Sequence, residues 1–223
     1  MSYRFALVFF CIASFVGTGQ TIIEDFEDLG SLSDWYFLNN SDSPNENWGN
    51  GNINNFNAYN GPAFLGVGYE SSNSLDPVML SNWAVSPSRT FNNGDVITFY
   101  SRRINFTPVF PDRLEVRMSS AGNSIYTGFS AEDTGDFNTL LLSINPDLTS
   151  TGYPSEWTQY TVIISGLNGT VNGRIAFRYF VPDGGPGGSN SNYIGIDSFT
   201  YYSSLVAPEN DECETAIELN HAV

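Results

Sequence analysis

The sequence predicts an all-β fold, a jelly-roll β-sandwich of antiparallel strands, and three observations predict it. Aromatic side chains make up 15% of the 223 residues while only 14% are charged, a balance that fills a core and that disordered chains lack. Short runs of alternating apolar and polar residues recur, separated by turns that draw on 21 glycines and 11 prolines. No run before residue 209 carries a helical period of useful length. Strands this numerous, joined by Gly/Asn/Pro turns, make a sandwich. Long irregular loops such as Asn39–Pro62 argue against a closed barrel.

The chain opens with an export-type segment. Arg4 gives a positive start, Phe5–Val16 is a nearly unbroken apolar run, and Gly17, Thr18 and Gly19 are the small residues that flank a cleavage site. This pattern predicts a signal peptide over residues 1–19, too short in its apolar run to span a bilayer. Acylation of Cys11 is disfavoured, because Phe10 precedes it where a small residue is needed. Cleavage would leave Gln20 first and Cys213 as the remaining cysteine, so no disulfide could close within the body. The predicted location is extracellular, secreted or at the cell surface.

Strands follow in order. Thr21–Phe26 opens the domain, and Val96–Arg102 follows a turn at Asn92–Asp95. Arg113–Met118 alternates cleanly, with Leu114, Val116 and Met118 on one face. Thr139–Ile144, Thr158–Ile164 and Arg174–Val181 are further strands, and Tyr193–Tyr202 closes the set. The domain is predicted to cover residues 20–205. Between strands, Asn39–Asn60 embeds Trp48, Phe56 and Tyr59 in an Asn/Gly-rich loop, which either packs over the sandwich or presents a binding surface. Pro182–Asn190 reads as a glycine-rich hairpin; with no helix after it and no lysine it is no phosphate cradle. From Ala207 the strand pattern breaks, and residues 206–223 read as a linker and the start of a further module.

Charge narrows the chemistry. The formal charge is −16, all eight basic residues are arginine, and the single histidine is His221. A Schiff-base lysine, a Ser-His-Asp triad and a multi-histidine metal site are therefore excluded from the body. So is a basic surface for nucleic acid. Carboxylate chemistry, a hard cation held by oxygens, or plain binding remain. A jelly-roll glycosidase needs two carboxylates facing across a cleft. Glu115 is the one acid placed mid-strand with clean alternation, and it has no recognisable partner.

Several stretches, taken together and in order, resemble a known family. They are Glu24-Asp25-Phe26-Glu27-Asp28 with Trp35 after it, Leu80–Pro87 (LSNWAVSP), Val96–Ser101, Pro111–Arg117 and Phe137–Leu141. Trp157–Thr161, Ile175–Tyr179 and Tyr193–Asp197 complete the set. Over roughly Ile22 to Tyr202 the chain resembles the choice-of-anchor J modules, akin to the cleaved adhesin domains of secreted Bacteroidetes proteins such as gingipains. The resemblance implies a jelly roll related to carbohydrate-binding modules, structural calcium, and a non-catalytic adhesion role within a larger polypeptide. The expected partner is a glycan or an extracellular protein. The alternative is an accessory domain of a secreted hydrolase, a peptidase or glycosidase, with no ligand of its own.

Candidate sites follow. Ca²⁺ needs six to eight hard oxygens. In such jelly rolls the first and last strands are neighbours, so Asp25 and Glu27 can converge on Asp197. Asp25 and Glu27 lie two apart and would point the same way in an extended segment. Arg102, Arg117 and Arg178 are candidate ligand-binding residues. If their strands are neighbours, they form a guanidinium row with Arg113, Arg174 and Glu115, suited either to cross-strand ion pairs or to gripping acidic sugars. Trp48 and Tyr59 are candidate sugar-stacking residues, with Trp35 and Tyr69 as further options, whereas Trp83 and Trp157 are expected in the core.

Overall fold

The computed structural model describes residues 21–204. The expected signal peptide and the expected C-terminal linker and module lie outside the described residues. The strands are β1 (Thr21–Glu24), β2 (Tyr36–Asn39), β3 (Gly49–Asn50), β4 (Leu65–Gly68), β5 (Val78–Val85) and β6 (Arg89–Phe91). They continue with β7 (Val96–Arg103), β8 (Leu114–Ser119), β9 (Thr139–Ile144), β10 (Thr158–Ile163), β11 (Val171–Gly184) and β12 (Tyr193–Tyr202). Two antiparallel six-stranded sheets result among the described residues. The first runs β10-β7-β12-β4-β3 with β1 also on β12, and the second runs β2-β5-β11-β8-β9 with β6 also on β11.

Alternation explains the strands that face water on one side. Ile97, Phe99 and Ser101 of β7 are buried while Val96, Thr98, Tyr100 and Arg102 are partly exposed. The two inner faces meet through aromatic contacts. Phe177 of β11 lies 5.0 Å edge-on to Phe99 of β7 and 5.5 Å from Phe199 of β12. The expected neighbourhood of first and last strands is present, since β1 pairs with the C-terminal half of β12 from Thr21↔Tyr202 to Glu24↔Phe199.

Two irregularities position the carboxylates. Extended structure ends at Glu24, and Phe26 takes φ +56, so its ring turns fully inward under Trp35. Asp25 and Glu27 therefore do not share an extended face as the sequence spacing implies. Asp25 stays exposed and only caps the Glu27 amide at 3.3 Å, whereas Glu27 reaches into the structure. In β12 a register shift between Asp197 and Thr200, with Ser198 at φ +50, re-aims the strand at Asp197.

Candidate functional site

The arginine row forms, but it is roofed. In the second sheet Arg178 pairs in register with Glu115, and Ala176 with Arg117, so the predicted residues do share an outward face. The β8–β9 loop then closes over them. Arg178 is 1% exposed and donates from Nη2 to the Ala131 carbonyl at 2.6 Å and the Asp133 carbonyl at 3.0 Å. Its Nε donates to Ser81 Oγ, and its guanidinium lies 4.7 Å from the Trp83 ring and 3.7 Å from the Phe180 ring. Burial lowers its pKa to about 10, so it stays charged at neutral pH. Arg117 donates to Glu115 Oε2 at 2.7 Å and to the Phe137 carbonyl at 3.2 Å. Neither guanidinium is open to a ligand, and Arg178 is a loop clamp.

Arg102 does not belong to this row, because β7 lies in the other sheet. Its guanidinium sits 4.6 Å over the Phe56 ring, bonds the Ser155 carbonyl and lies 3.7 Å from Glu156. Trp48 is likewise withdrawn. It is 3% exposed, and its indole N–H donates to the Asn82 carbonyl at 3.0 Å. Spacing gave no warning of either outcome, since both depend on which loop folds over which face.

On the first sheet the roof is the β3–β4 loop. Phe56 stacks on Phe64 at 4.9 Å, and Trp157 meets both edge-on at 5.6 Å, half-buried on the outward face and not in the inter-sheet core. Tyr59 is 45% exposed, with one ring face stacked on Tyr100 at 3.5 Å. The acids hold the loop from beneath. Asp197 Oδ2 accepts from the Tyr59 and Asn60 amides at 2.8 and 3.1 Å, and Oδ1 accepts from the Ser198 amide at 2.6 Å. Burial outweighs these bonds and raises the Asp197 pKa from its ordinary value. Glu27 Oε2 accepts from the Ala63 amide at 3.0 Å, while Oε1 is buried with no hydrogen-bond partner. Gly61 (φ +66) makes this approach possible, since a Cβ there would collide with the Glu27 carboxylate. So Glu27 and Asp197 converge on one loop, and Asp25 does not join them.

A cleft opens at one end of the sandwich, built by four connections. Its larger lobe holds about 500 Å³ and is walled by Tyr69, Phe106, Phe110 and Tyr193 with the amides of Asn55 and Asn192. A smaller lobe of about 180 Å³ adds Glu46, Asn47 and Asn50. Asn52, Asn55, Glu70 and Tyr193 border both. Tyr193 is the ridge between them. Its hydroxyl accepts from the Asn52 amide at 2.8 Å, and its ring lies across Gly66 and Gly68, where any Cβ would clash with it. Behind the wall, Asp112 Oδ1 accepts from the Asn192 amide at 2.7 Å and the Tyr179 hydroxyl at 2.6 Å. Its Oδ2 is buried without a partner, and burial pushes its pKa up to about 6. Of the candidate stacking, ligand-binding and metal residues read from the sequence, Tyr69 alone lines this cleft, joined by Gly185, Pro186 and Gly188 of the hairpin that was rejected as a phosphate cradle. The legible signals were Gly66-Val67-Gly68 ahead of Tyr69 and the glycine-rich hairpin before Tyr193.

Among the described residues no group of three or more acidic, histidine or cysteine side chains is placed to hold a metal, and no helix is long and apolar enough to cross a membrane. No family model matches the chain, and no curated protein matches it in sequence. Solved structures do match. The K1 cleaved adhesin domain of Lys-gingipain from Porphyromonas gingivalis aligns with a TM-score of 0.55 at 18% identity, covering 83% of this chain and 99% of that one. The K3 domain aligns at 0.54 with 19% identity, covering 82% and 98% of the two chains. The K2 domain aligns at 0.53 with 17% identity, covering 82% and 99%. The likeness is one of architecture, two packed antiparallel sheets over the same span. This chain has the β-sandwich fold of the cleaved adhesin domains.

Proposed function

We propose that the chain is a non-catalytic binding module of an exported protein, and that its end cleft is the seat for a glycan. The supporting observation is the composition of that cleft. Aromatic faces from Tyr69, Phe106 and Tyr193 stand beside side-chain amides and a carboxylate, the mixture that takes the apolar face of a sugar ring and its hydroxyls together. Tyr69 and Phe106 are 38% and 48% exposed, so their rings are available to a ligand. Glycan-array binding by the protein should be positive, and Phe106→Ala should weaken it about tenfold, as expected for an aromatic worth a little over 1 kcal/mol. Release of reducing ends from a bound glycan would overturn the non-catalytic reading. Absence of any glycan binding would favour the accessory-domain alternative.

Calcium is the second part of the proposal. What supports a hard cation at the base of the β3–β4 loop is one donor, and backbone carbonyls and water would have to complete its shell. Glu27 Oε1 is a buried carboxylate oxygen without a donor, packed directly against Gly61. Glu27 would hold the ion, Asp197 would hold the loop against it, and the ion would supply the positive charge that no arginine supplies there. Titrating Ca²⁺ into chelator-treated protein should release binding heat and raise Tm, and Glu27→Gln should abolish both. No heat and an unmoved Tm would end the idea.

A further inference from the structure

We infer that the cleft selects uncharged sugars and turns acidic ones away, with Glu70 acting as both hydroxyl acceptor and charge filter. The inference rests on the reading of the cleft as a glycan seat. The charged residues lining the two lobes are Glu46 and Glu70, and no arginine lines either. Arg103 is next in sequence to the wall residue Ile104, but its guanidinium is committed to backbone carbonyls. Nε donates to Tyr153 at 3.1 Å and Nη1 to Ile104 at 2.7 Å.

Glu70 is central because it borders both lobes. Its Oε2 and the Tyr193 ring edge each lie 2.9 Å from the point where a Cβ of Gly68 would stand, with the Asn192 carbonyl oxygen at 2.6 Å from it, so the carboxylate sits beside the ring edge. A ring stacked on Tyr193 would present an equatorial hydroxyl to that oxygen. The Glu46 amide donates to the Glu70 carbonyl at 3.0 Å, which brings the second acid alongside. The local field shows in Tyr69, whose phenol is raised from its ordinary value by the charge and hydrogen bond of Glu70 and, more weakly, by burial and by Glu46. Asn55 and Asn192 line the larger lobe and bring side-chain amides that can donate and accept. Two lobes astride one aromatic ridge fit at least two linked sugar units. An acidic sugar would bring like charge into a chain that already carries −16.

The test compares a neutral oligosaccharide with its uronic-acid counterpart of the same linkage by calorimetry, on wild type, Glu70→Gln and Phe106→Ala. The acidic ligand should bind wild type at least about tenfold more weakly, from like-charge repulsion at contact range. Glu70→Gln should narrow that gap to within about threefold, and added salt should narrow it too. Equal binding of both ligands to wild type, or a gap that Glu70→Gln leaves intact, would overturn the selectivity while Phe106→Ala still marks the cleft as the seat. Loss of all sugar binding, or indifference to Phe106→Ala, would instead sink the cleft reading. Salt-sensitive binding of a basic peptide in place of sugar would also refute the inference.

Discussion

Both outward sheet faces carry a long loop, but acids hold the one between β3 and β4, whereas an arginine holds the one between β8 and β9. Loop backbone laid over a sheet needs partners for its amides and carbonyls. On the first sheet, Asp197 and Glu27 accept amide protons from Tyr59, Asn60 and Ala63. On the second, Arg178 donates to the carbonyls of Ala131 and Asp133. The arginine is complete. Glu115 at 3.4 Å balances its charge, and aromatic rings cover it. The acids are not, for Glu27 retains a buried oxygen without a donor and neither acid has an arginine partner among the described residues. The second roof is therefore closed structure, whereas the first keeps an unpartnered carboxylate oxygen.

The largest effect should come from removing the clamp. Arg178→Met should cost about 3–5 kcal/mol in urea unfolding, the range for breaking a buried charged network, and should open the β8–β9 loop to protease. A loss under about 1 kcal/mol would mean that the two roofs do not differ in kind.

A third connection, the β11–β12 hairpin, extends the comparison. Asp112 holds it through Asn192 with a pKa of about 6 against an ordinary 3.8. The folded state binds this proton more tightly than the unfolded chain does. Its stabilisation is therefore full below pH 4 and is lost as pH rises to about 6, on the order of 3 kcal/mol for a shift of about two units. Asp112→Asn should flatten the dependence of Tm on pH between 4 and 7. A slope that survives the substitution would assign it elsewhere.

The smallest effect sharpens the contrast most directly, because the two roofs should respond to pH with opposite signs. Asp197 holds its proton more tightly when folded, owing to burial. Asp133, which accepts from the Phe129 and Ser130 amides at 2.9 Å, holds its proton less tightly, chiefly because of those bonds. In the absence of Ca²⁺, acidification through the carboxylate range should therefore raise hydrogen-exchange protection at Tyr59 and Asn60 and lower it at Phe129 and Ser130. Parallel changes at both loops would refute the distinction.

How much of this was legible varied by element. β7, β9 and β12 could be read to within a residue, and one-sided burial imposes period-two alternation on β7 and on the second half of β12. β5 was read only as a family stretch and not as a strand. From Leu80 to Val85 every residue is buried, because the inner face meets the core and the outer face lies under loop or arginine, so alternation vanishes. β4 was missed because Gly66 and Gly68 leave its outer face to the Tyr193 ring. Of the site residues, Glu27 and Asp197 were singled out, and they do meet at one loop. Asp25 was lost to the backbone reversal at Phe26. Arg178 and Trp48 carried no sequence sign that loops would bury them.

What the sequence determined by itself was the class of molecule. The balance of aromatics and charge, the period-two runs and the turn residues specify antiparallel sheets, and the lack of lysine, with His221 the single histidine, removes chemistry that depends on those two side chains. These are one-dimensional properties, carried by composition and by neighbours along the chain. Only the tertiary structure decided where the arginines point, which carboxylates meet, and where a cleft opens. Each of those depends on which loop crosses which sheet face. Asn52, Glu70, Phe106 and Asn192 become neighbours because β4, β7 and β12 lie side by side, a relation that spacing along the chain does not encode.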